Sequence, residues 1–420
     1  MQTKLHTIGW VIVMSILSHL PGRVYANDLE DERTFGEDVN FLASHVEAVV
    51  LGKDDTGPQL VVVPDYQGRV MTSSAAGQEG ISYGWINYEQ ITSGIVDGAQ
   101  INVFGGEERL WFGPEGGQYS IFFAPGSKFE FSQWQTPAVI DTQPFQITAK
   151  DTRHITLMRK SKLTNYLGTS FNLQIQRQIE LLNTEEIVNL LGSDCAKVAS
   201  VGYRTTNRLT NIGESDWSQQ TGLLSIWILG MYKHGPQTTI VVPFRRDADG
   251  GTGQVMNDDY FGKVPENRIR IADGVLFFLG DGKQRGKIGL SPQRATPICG
   301  SYDAARSVLT IVKYNQPGPE ITQYVNSKWE IQKKPFAGDV INAYNDGAPE
   351  PGKKPLGPFY ELETSSPALS LKAGETGEHI QETFHFEGDP QQLDRLSQTI
   401  LGVTLEQIRA ALPGVGSDQP

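Results

Sequence analysis

The sequence predicts an all-β protein: two packed antiparallel sheets followed by a short C-terminal helical hairpin. Three observations carry that expectation. The 420 residues include 45 Gly and 23 Pro, and these punctuate many short runs of Val, Ile, Phe, Tyr and Thr, the pattern of strands separated by turns. Helical spacing is scarce before residue 390. No internal repeat or linker divides the chain, so one large domain is expected, and two antiparallel sheets are the usual way to bury so many strands.

Taken in order, the chain opens with Lys4 and His6, an apolar run over 8–20, and Val24, Tyr25 and Ala26 in a V-x-A cleavage pattern. This reads as a secretory signal peptide over 1–26. The run is short for a membrane span and no Cys follows it to carry a lipid, so an exported, soluble chain starting at Asn27 is expected, periplasmic or extracellular. Strands are expected at 48–51, 60–64, 120–123, 145–148, 155–160, 173–181, 226–232, 238–243, 275–278, 307–313 and 379–386 within a β domain over 27–388. Loops rich in Gly, Asp and Pro fall at 246–253 and 345–357. The hairpin occupies 389–413, with helical spacing over 390–400 and 404–412, and Thr404 with Gln407 forms a capping box. Residues 414–420 are expected to be a disordered tail.

Composition excludes several classes. The formal charge is −12; without 1–26, 34 basic residues face 48 acidic ones, giving −14. Such a chain is a poor partner for nucleic acid or anionic lipid. An oxidising compartment would permit one bridge between Cys195 and Cys299, the only two cysteines, subject to geometry. No H-E-x-x-H, paired C-x-x-C or P-loop occurs, so no metal or other cofactor is expected. Gly80, Ser82 and Gly84 match G-x-S-x-G, but the sequence after them stays β-like, where a nucleophile elbow needs a helix. Asp247 and Asp249 begin like a calcium loop without its later ligands.

The residues that carry chemistry cluster late in the chain. Glu361 and Glu363 sit two apart on one strand, so both carboxyls point to one face roughly 6 to 7 Å apart, a spacing suited to paired acid and base work. A solvated edge strand with two surface acids gives the same spacing. In GGEERLWFGPEGG, at 105–117, Arg109 and Trp111 share a face before a turn carrying Glu115; an indole that stacks on a pyranose beside Arg and carboxylate groups suits a sugar, and a Trp half buried in the sandwich beside a surface Arg gives the same pattern. Arg285 and Lys287 share a strand face; an ordinary ion-paired surface strand is the first reading, and a site for a uronate or sulfated sugar the second. His379 and His385 share a face of the last strand, read mainly as solvent-facing.

The segments GISYGWIN at 80–87, GGEERLWFGPEGG at 105–117, SIWILGMY at 225–232, NDDYFG at 257–262, and 359–375 resemble an uncharacterised family of secreted bacterial proteins in the galactose mutarotase-like superfamily. The resemblance spans nearly the whole mature chain. It implies a β-supersandwich with a carbohydrate-facing concave sheet. In aldose epimerases of that superfamily a late strand carries the catalytic Glu, followed by a Gly-Glu turn and a strand ending in aromatics. Leu362-Glu363-Thr364, Gly374-Glu375 and Phe384-His385-Phe386 follow that order, so the resemblance implies Glu363 as base. It also makes Asn87, Tyr260, Asn345 and Asp346 candidates for sugar contact.

One departure counts against epimerisation. The epimerase acid is a His in a strand following Leu-Thr-Asn; here Leu209-Thr210-Asn211 is present, but the next strand has no His, and His234 falls beyond its end. The expectation is therefore a secreted carbohydrate-binding protein with acid–base activity on a sugar, epimerase-like or hydrolytic or lyase-type. The alternative is a glycan-recognition module without turnover, in the periplasm or at the cell surface. A structural envelope protein is a third reading, favoured if the Glu361 and Trp111 faces point into a dry core.

Overall fold

The computed structural model describes residues 33–96, 100–246, 253–318, 320–350 and 352–413. The expected signal peptide, the Asp247–Asp249 turn and the 414–420 tail lie outside them. Helix α1 (Phe35–Ala43) begins at Thr34, whose hydroxyl accepts from the Glu37 N–H while the Glu37 carboxylate accepts from the Thr34 N–H, satisfying two of the donors a helix start leaves open. Strands β1 (Val49–Leu51), β2 (Gln59–Val63) and β3 (Arg69–Ser74) form a three-stranded sheet against it, through Phe35, Leu42, Val61, Val63 and Met71.

The next elements are α2 (Tyr88–Ser93), β4 (Arg109–Gly113), β5 (Gln146–Lys150), β6 (His154–Thr164), β7 (Ser170–Leu181) and α3 (Thr184–Leu191). Then come β8 (Ala199–Asn211), β9 (Ser225–Lys233), β10 (Thr238–Pro243), β11 (Ile269–Ala272), β12 (Val275–Leu279) and β13 (Gly286–Leu290). The last are β14 (Ile298–Asp303), β15 (Val308–Tyr314), β16 (Ile341–Asn345), β17 (Phe359–Ser365), β18 (Thr376–Glu387), α4 (Pro390–Leu401) and α5 (Leu405–Ala410). Ten strands form one antiparallel sheet, ordered β11-β12-β10-β14-β15-β18-β8-β7-β6-β5, and five form another, β13-β16-β17-β9-β4. Strand β7 shows the period-two signature, with Phe171, Leu173, Ile175 and Ile179 buried between more exposed neighbours.

The two large sheets pack face to face through Ile240, Val242, Leu276 and Phe278 on one side and Ile288, Leu290, Ile341, Ala343 and Leu362 on the other. The outer face of the ten-stranded sheet buries Phe384, Phe386, Leu309 and Ile311 under α3, α4 and α5. The fold is thus the expected all-β supersandwich with its C-terminal hairpin docked on a sheet. Thr404 and Gln407 make the reciprocal capping box. Among the described residues, no helix is long and apolar enough to cross a membrane.

Several expectations need correction. Residues 120–123 form no strand; Phe123 makes a single bridge to Trp134. His379 and His385 are buried rather than solvent-facing, because the polar face of β18 turns inward against the five-stranded sheet: the His379 imidazole bonds Thr364 Oγ1 at 2.8 Å. The His385 ring stacks on Tyr83 at 4.3 Å. Cys195 and Cys299 are free and buried, one under the helices and one between the sheets. Ser82 is buried, donating to Asp38 Oδ2 at 2.5 Å; the sequence after it does not stay β-like as expected, since α2 starts at Tyr88, but that helix begins six residues on and not at the turn a nucleophile elbow needs.

Candidate functional site

The face of the five-stranded sheet turned away from the ten-stranded one carries the candidate residues. Strand register lines them up in rows. Lys287 stands opposite Tyr344, Tyr344 opposite Glu361, and Glu361 opposite Met231. The next row runs Gly289, Asn342, Glu363, Leu229 and Arg109. A third joins Ser365, Trp227 and Trp111. Period-two alternation on each strand therefore gathers side chains from five separate segments onto one surface.

Each cation pairs across the diagonal, within reach of a long side chain. Arg109 Nη2 donates to Glu361 Oε1 at 2.7 Å, although Arg109 lies in the Glu363 row. Lys287 Nζ donates to Glu363 Oε2 at 2.9 Å, although Lys287 lies in the Glu361 row. Trp227 Nε1 also donates to Glu363 Oε2, at 3.0 Å. Both carboxylates are buried, so the surface-strand alternative fails. Burial pushes the Glu361 carboxyl up to about 7, with the Arg109 charge opposing and the Glu363 charge adding to the rise. Glu363 Oε1, Arg109 Nε, Asn342 Oδ1 and Ser225 Oγ are buried on this face and make no hydrogen bond, which is costly unless something meets them.

Beside the pair lies a cavity of about 20 Å³ lined by Glu115, Ser225, Trp227, Tyr260, Lys287, Asp339 and Asn342, roofed by Val325 and Ser327. Tyr260 donates to Asp339 Oδ2 at 2.7 Å, and Trp329 Nε1 donates to Glu115 Oε1 at 3.2 Å. Burial raises the carboxyls of both Glu115 and Asp339. The Lys287 ammonium lies 4.8 Å from the Trp227 ring and 5.5 Å from that of Tyr260.

The structure thus brings Glu361, Glu363, Arg109, Lys287, Glu115 and Tyr260 together. Trp111 shares their face but is no stacking platform: it is 4% exposed and packs on Phe122, Trp134 and Trp227, with ring centroids at 5.3, 6.4 and 5.6 Å. Asn87 is elsewhere, capping α2 by accepting from the Gln90 N–H. Asn345 points to the opposite side of its strand and ties the 281–284 turn, donating to Gln284 O and accepting from the Gly282 N–H. Asp346 accepts from the Tyr344 hydroxyl and the Gly357 N–H, holding a loop rather than a cleft rim. Arg285 stacks its guanidinium on Phe261 at 3.7 Å. His234 lies past β9 against Gly282.

Sequence reasoning missed Asn342, Trp227, Ser225 and Asp339. Counting back by twos from Tyr344 finds Asn342; Asp339 sits in an irregular stretch with no such signal. Among the described residues, no group of three or more His, Cys, Asp or Glu side chains is placed to hold a metal.

The sequence matches the profile of a family of unknown function, DUF6786, over residues 33–412. No curated protein matches at a significant level. Among solved structures, the Slr1438 protein of Synechocystis sp. PCC 6803 is 13% identical, covering 82% of this chain and 96% of its own, at a TM-score of 0.49. A galactose mutarotase-like protein from Lactobacillus casei ATCC 334 is 10% identical over 81% of this chain and 100% of its own, at 0.46. A galactose mutarotase related enzyme from Lactobacillus acidophilus is 9% identical over 81% and 98%, at 0.42. The family match spans nearly all of the described chain, and the protein belongs to DUF6786.

Proposed function

We propose that the protein binds a carbohydrate at the Glu361–Glu363 face and performs acid–base chemistry on it. The observation that carries this reading is the carboxylate pair itself: Glu361, raised to about 7, supplies an acid near neutral pH, and Glu363 presents Oε1 without a partner. In such a pair Glu363 takes the anomeric hydroxyl proton while Glu361 gives one to the ring oxygen. The ring C–O bond breaks, an aldehyde forms, and reclosure on either face exchanges the anomers. The same two groups suit hydrolysis or elimination at a linkage. The signal-like residues 1–26 support export to the periplasm or beyond as part of this proposal.

The test is NMR of the anomeric signals of galactose and of plant or algal oligosaccharides, with calorimetry for binding, on residues 27–420. Glu363→Gln is expected to lose turnover by about 10²- to 10⁴-fold, the usual share of a general base, while binding is retained. Unchanged turnover in both Glu363→Gln and Glu361→Gln rules out the acid–base role. The non-catalytic reading draws on a specific observation, a cavity of about 20 Å³, which has room for little more than one water. Under that reading calorimetry shows binding and NMR shows no chemical change in any sugar.

A further inference from the structure

The charges around the cavity are unevenly compensated. Of the four carboxyls at this face, Glu361 is matched by Arg109 at 2.7 Å and Glu363 by Lys287 at 2.9 Å. Glu115 and Asp339 line the cavity itself. Their partners are neutral donors, the Trp329 indole for Glu115 and the Tyr260 hydroxyl and Asn257 amide for Asp339. Lys287, the cation in the cavity wall, is already committed to Glu363, and Arg285 stacks on Phe261.

Apart from Lys287, the remaining polar lining is uncharged. Asn342 is 6% exposed and its Oδ1 has no partner; Ser225 is 1% exposed and its Oγ has none. Gly289 keeps this corner open to acceptors, since a Cβ there would lie 2.2 Å from Asp339 Oδ2 and 2.8 Å from Asn342 Oδ1. Two carboxyls whose hydrogen-bond partners are neutral, an amide oxygen and a hydroxyl converge on one small space. Hydroxyl or ammonium donors complement these two carboxyls, whereas a ligand carboxylate or sulfate meets like charge at them.

We infer that the site takes an uncharged or amino sugar, and that Glu115 and Asp339 determine this specificity by rejecting acidic sugars. The inference rests on the carbohydrate reading above and replaces the expectation that Arg285 and Lys287 receive a uronate or sulfated sugar. Calorimetry with galactose, galactosamine and galacturonate on the whole mature chain tests it. Galacturonate is expected to bind at least about tenfold more weakly than the other two, as like-charge juxtaposition in a desolvated site requires. Glu115→Gln and Asp339→Asn keep the Trp329 and Tyr260 hydrogen bonds possible and are expected to raise galacturonate affinity relative to galactose by about tenfold together. Galacturonate binding as tightly as galactose in the unaltered protein overturns the inference and leaves the carbohydrate reading standing. An affinity ratio unmoved in both folded variants overturns the assignment to Glu115 and Asp339. Binding of none of the three sugars overturns the carbohydrate reading and this inference with it.

Discussion

Arg177 is wholly buried, yet its guanidinium is well partnered: Nη2 donates to Glu108 Oε1 at 2.8 Å, Nη1 to Asn207 Oδ1 at 2.7 Å and Nε to the Gly68 carbonyl at 2.9 Å. Glu108 Oε2 in turn accepts from Gln381 Nε2 at 3.2 Å. Glu108 immediately precedes Arg109, so one stretch of backbone anchors an interior network and the carboxylate site together. Removing one charge of such a pair leaves the other desolvated. Arg177→Met is expected to lower stability by about 3–5 kcal/mol in urea denaturation, and adding Glu108→Leu to recover much of that loss. A cost below about 1 kcal/mol for the single variant contradicts the pairing. Residue-level reading from sequence stops short here: His379 and His385 on β18 read mainly as solvent-facing, but Thr364 and Thr310 hydrogen-bond them inside. A single strand's pattern distinguishes two faces and not which one meets another sheet.

Two irregular stretches roof the site: 253–263, carrying Tyr260, and 320–340, carrying Val325, Ser327 and Trp329. They are joined above the sheet by the exposed pair Lys328 Nζ–Asp259 Oδ2 at 2.9 Å, and the Glu115 N–H donates to Ser327 Oγ at 3.1 Å. A cavity of about 20 Å³ does not hold a sugar ring, so a ligand of that size enters only as the roof shifts. The side chains of Lys328 and Asp259 are 32% and 51% exposed, and an exposed pair contributes less than about 1 kcal/mol to folding. Lys328→Ala is therefore expected to leave the denaturation midpoint nearly unchanged while increasing the association rate of a sugar in stopped-flow fluorescence. Added salt is expected to raise that rate in the unaltered protein and not in the variant. An unchanged rate places the opening elsewhere. At this scale the strands were legible because alternation is local, as in β7, β9 and β18. The roof was not: 320–340 has no period, and neither the burial of Trp111 beneath Phe122 and Trp134 nor the position of Asp339 leaves a trace in spacing.

Across the whole molecule, four titrations in the interior oppose one another in pairs. Glu107 and Glu361 have an ordinary value of 4.5 and are pushed up to about 8 and about 7, in each case mainly by burial. His379 and His385, ordinarily at 6.5, are pushed down to about 3 by burial. A raised carboxyl means that the folded chain holds its proton more tightly, so its contribution is present below 4.5 and is lost as pH climbs through 7 and 8. A lowered imidazole means that the unfolded chain binds the extra proton, so its contribution is present above 6.5 and is lost as pH falls toward 3. Between 4.5 and 6.5 the two slopes have opposite sign and equal number, so the combined contribution of these four groups is nearly flat there. Glu108, Glu115, Asp141 and Asp339 are also raised by burial, and each adds a loss of stability as pH rises through its own folded value. Urea denaturation is therefore expected to give the highest midpoint near about pH 5.5, with lower values at about pH 3.5 and about pH 8. A midpoint that still rises from 6.5 to 8 would mean that Glu107 and Glu361 are ionised in the folded protein, and Glu361 would then lose its claim to be the acid. His379→Gln and His385→Gln separate the two limbs: each is expected to flatten the acid side alone, because neither imidazole changes its charge above 6.5 in either state.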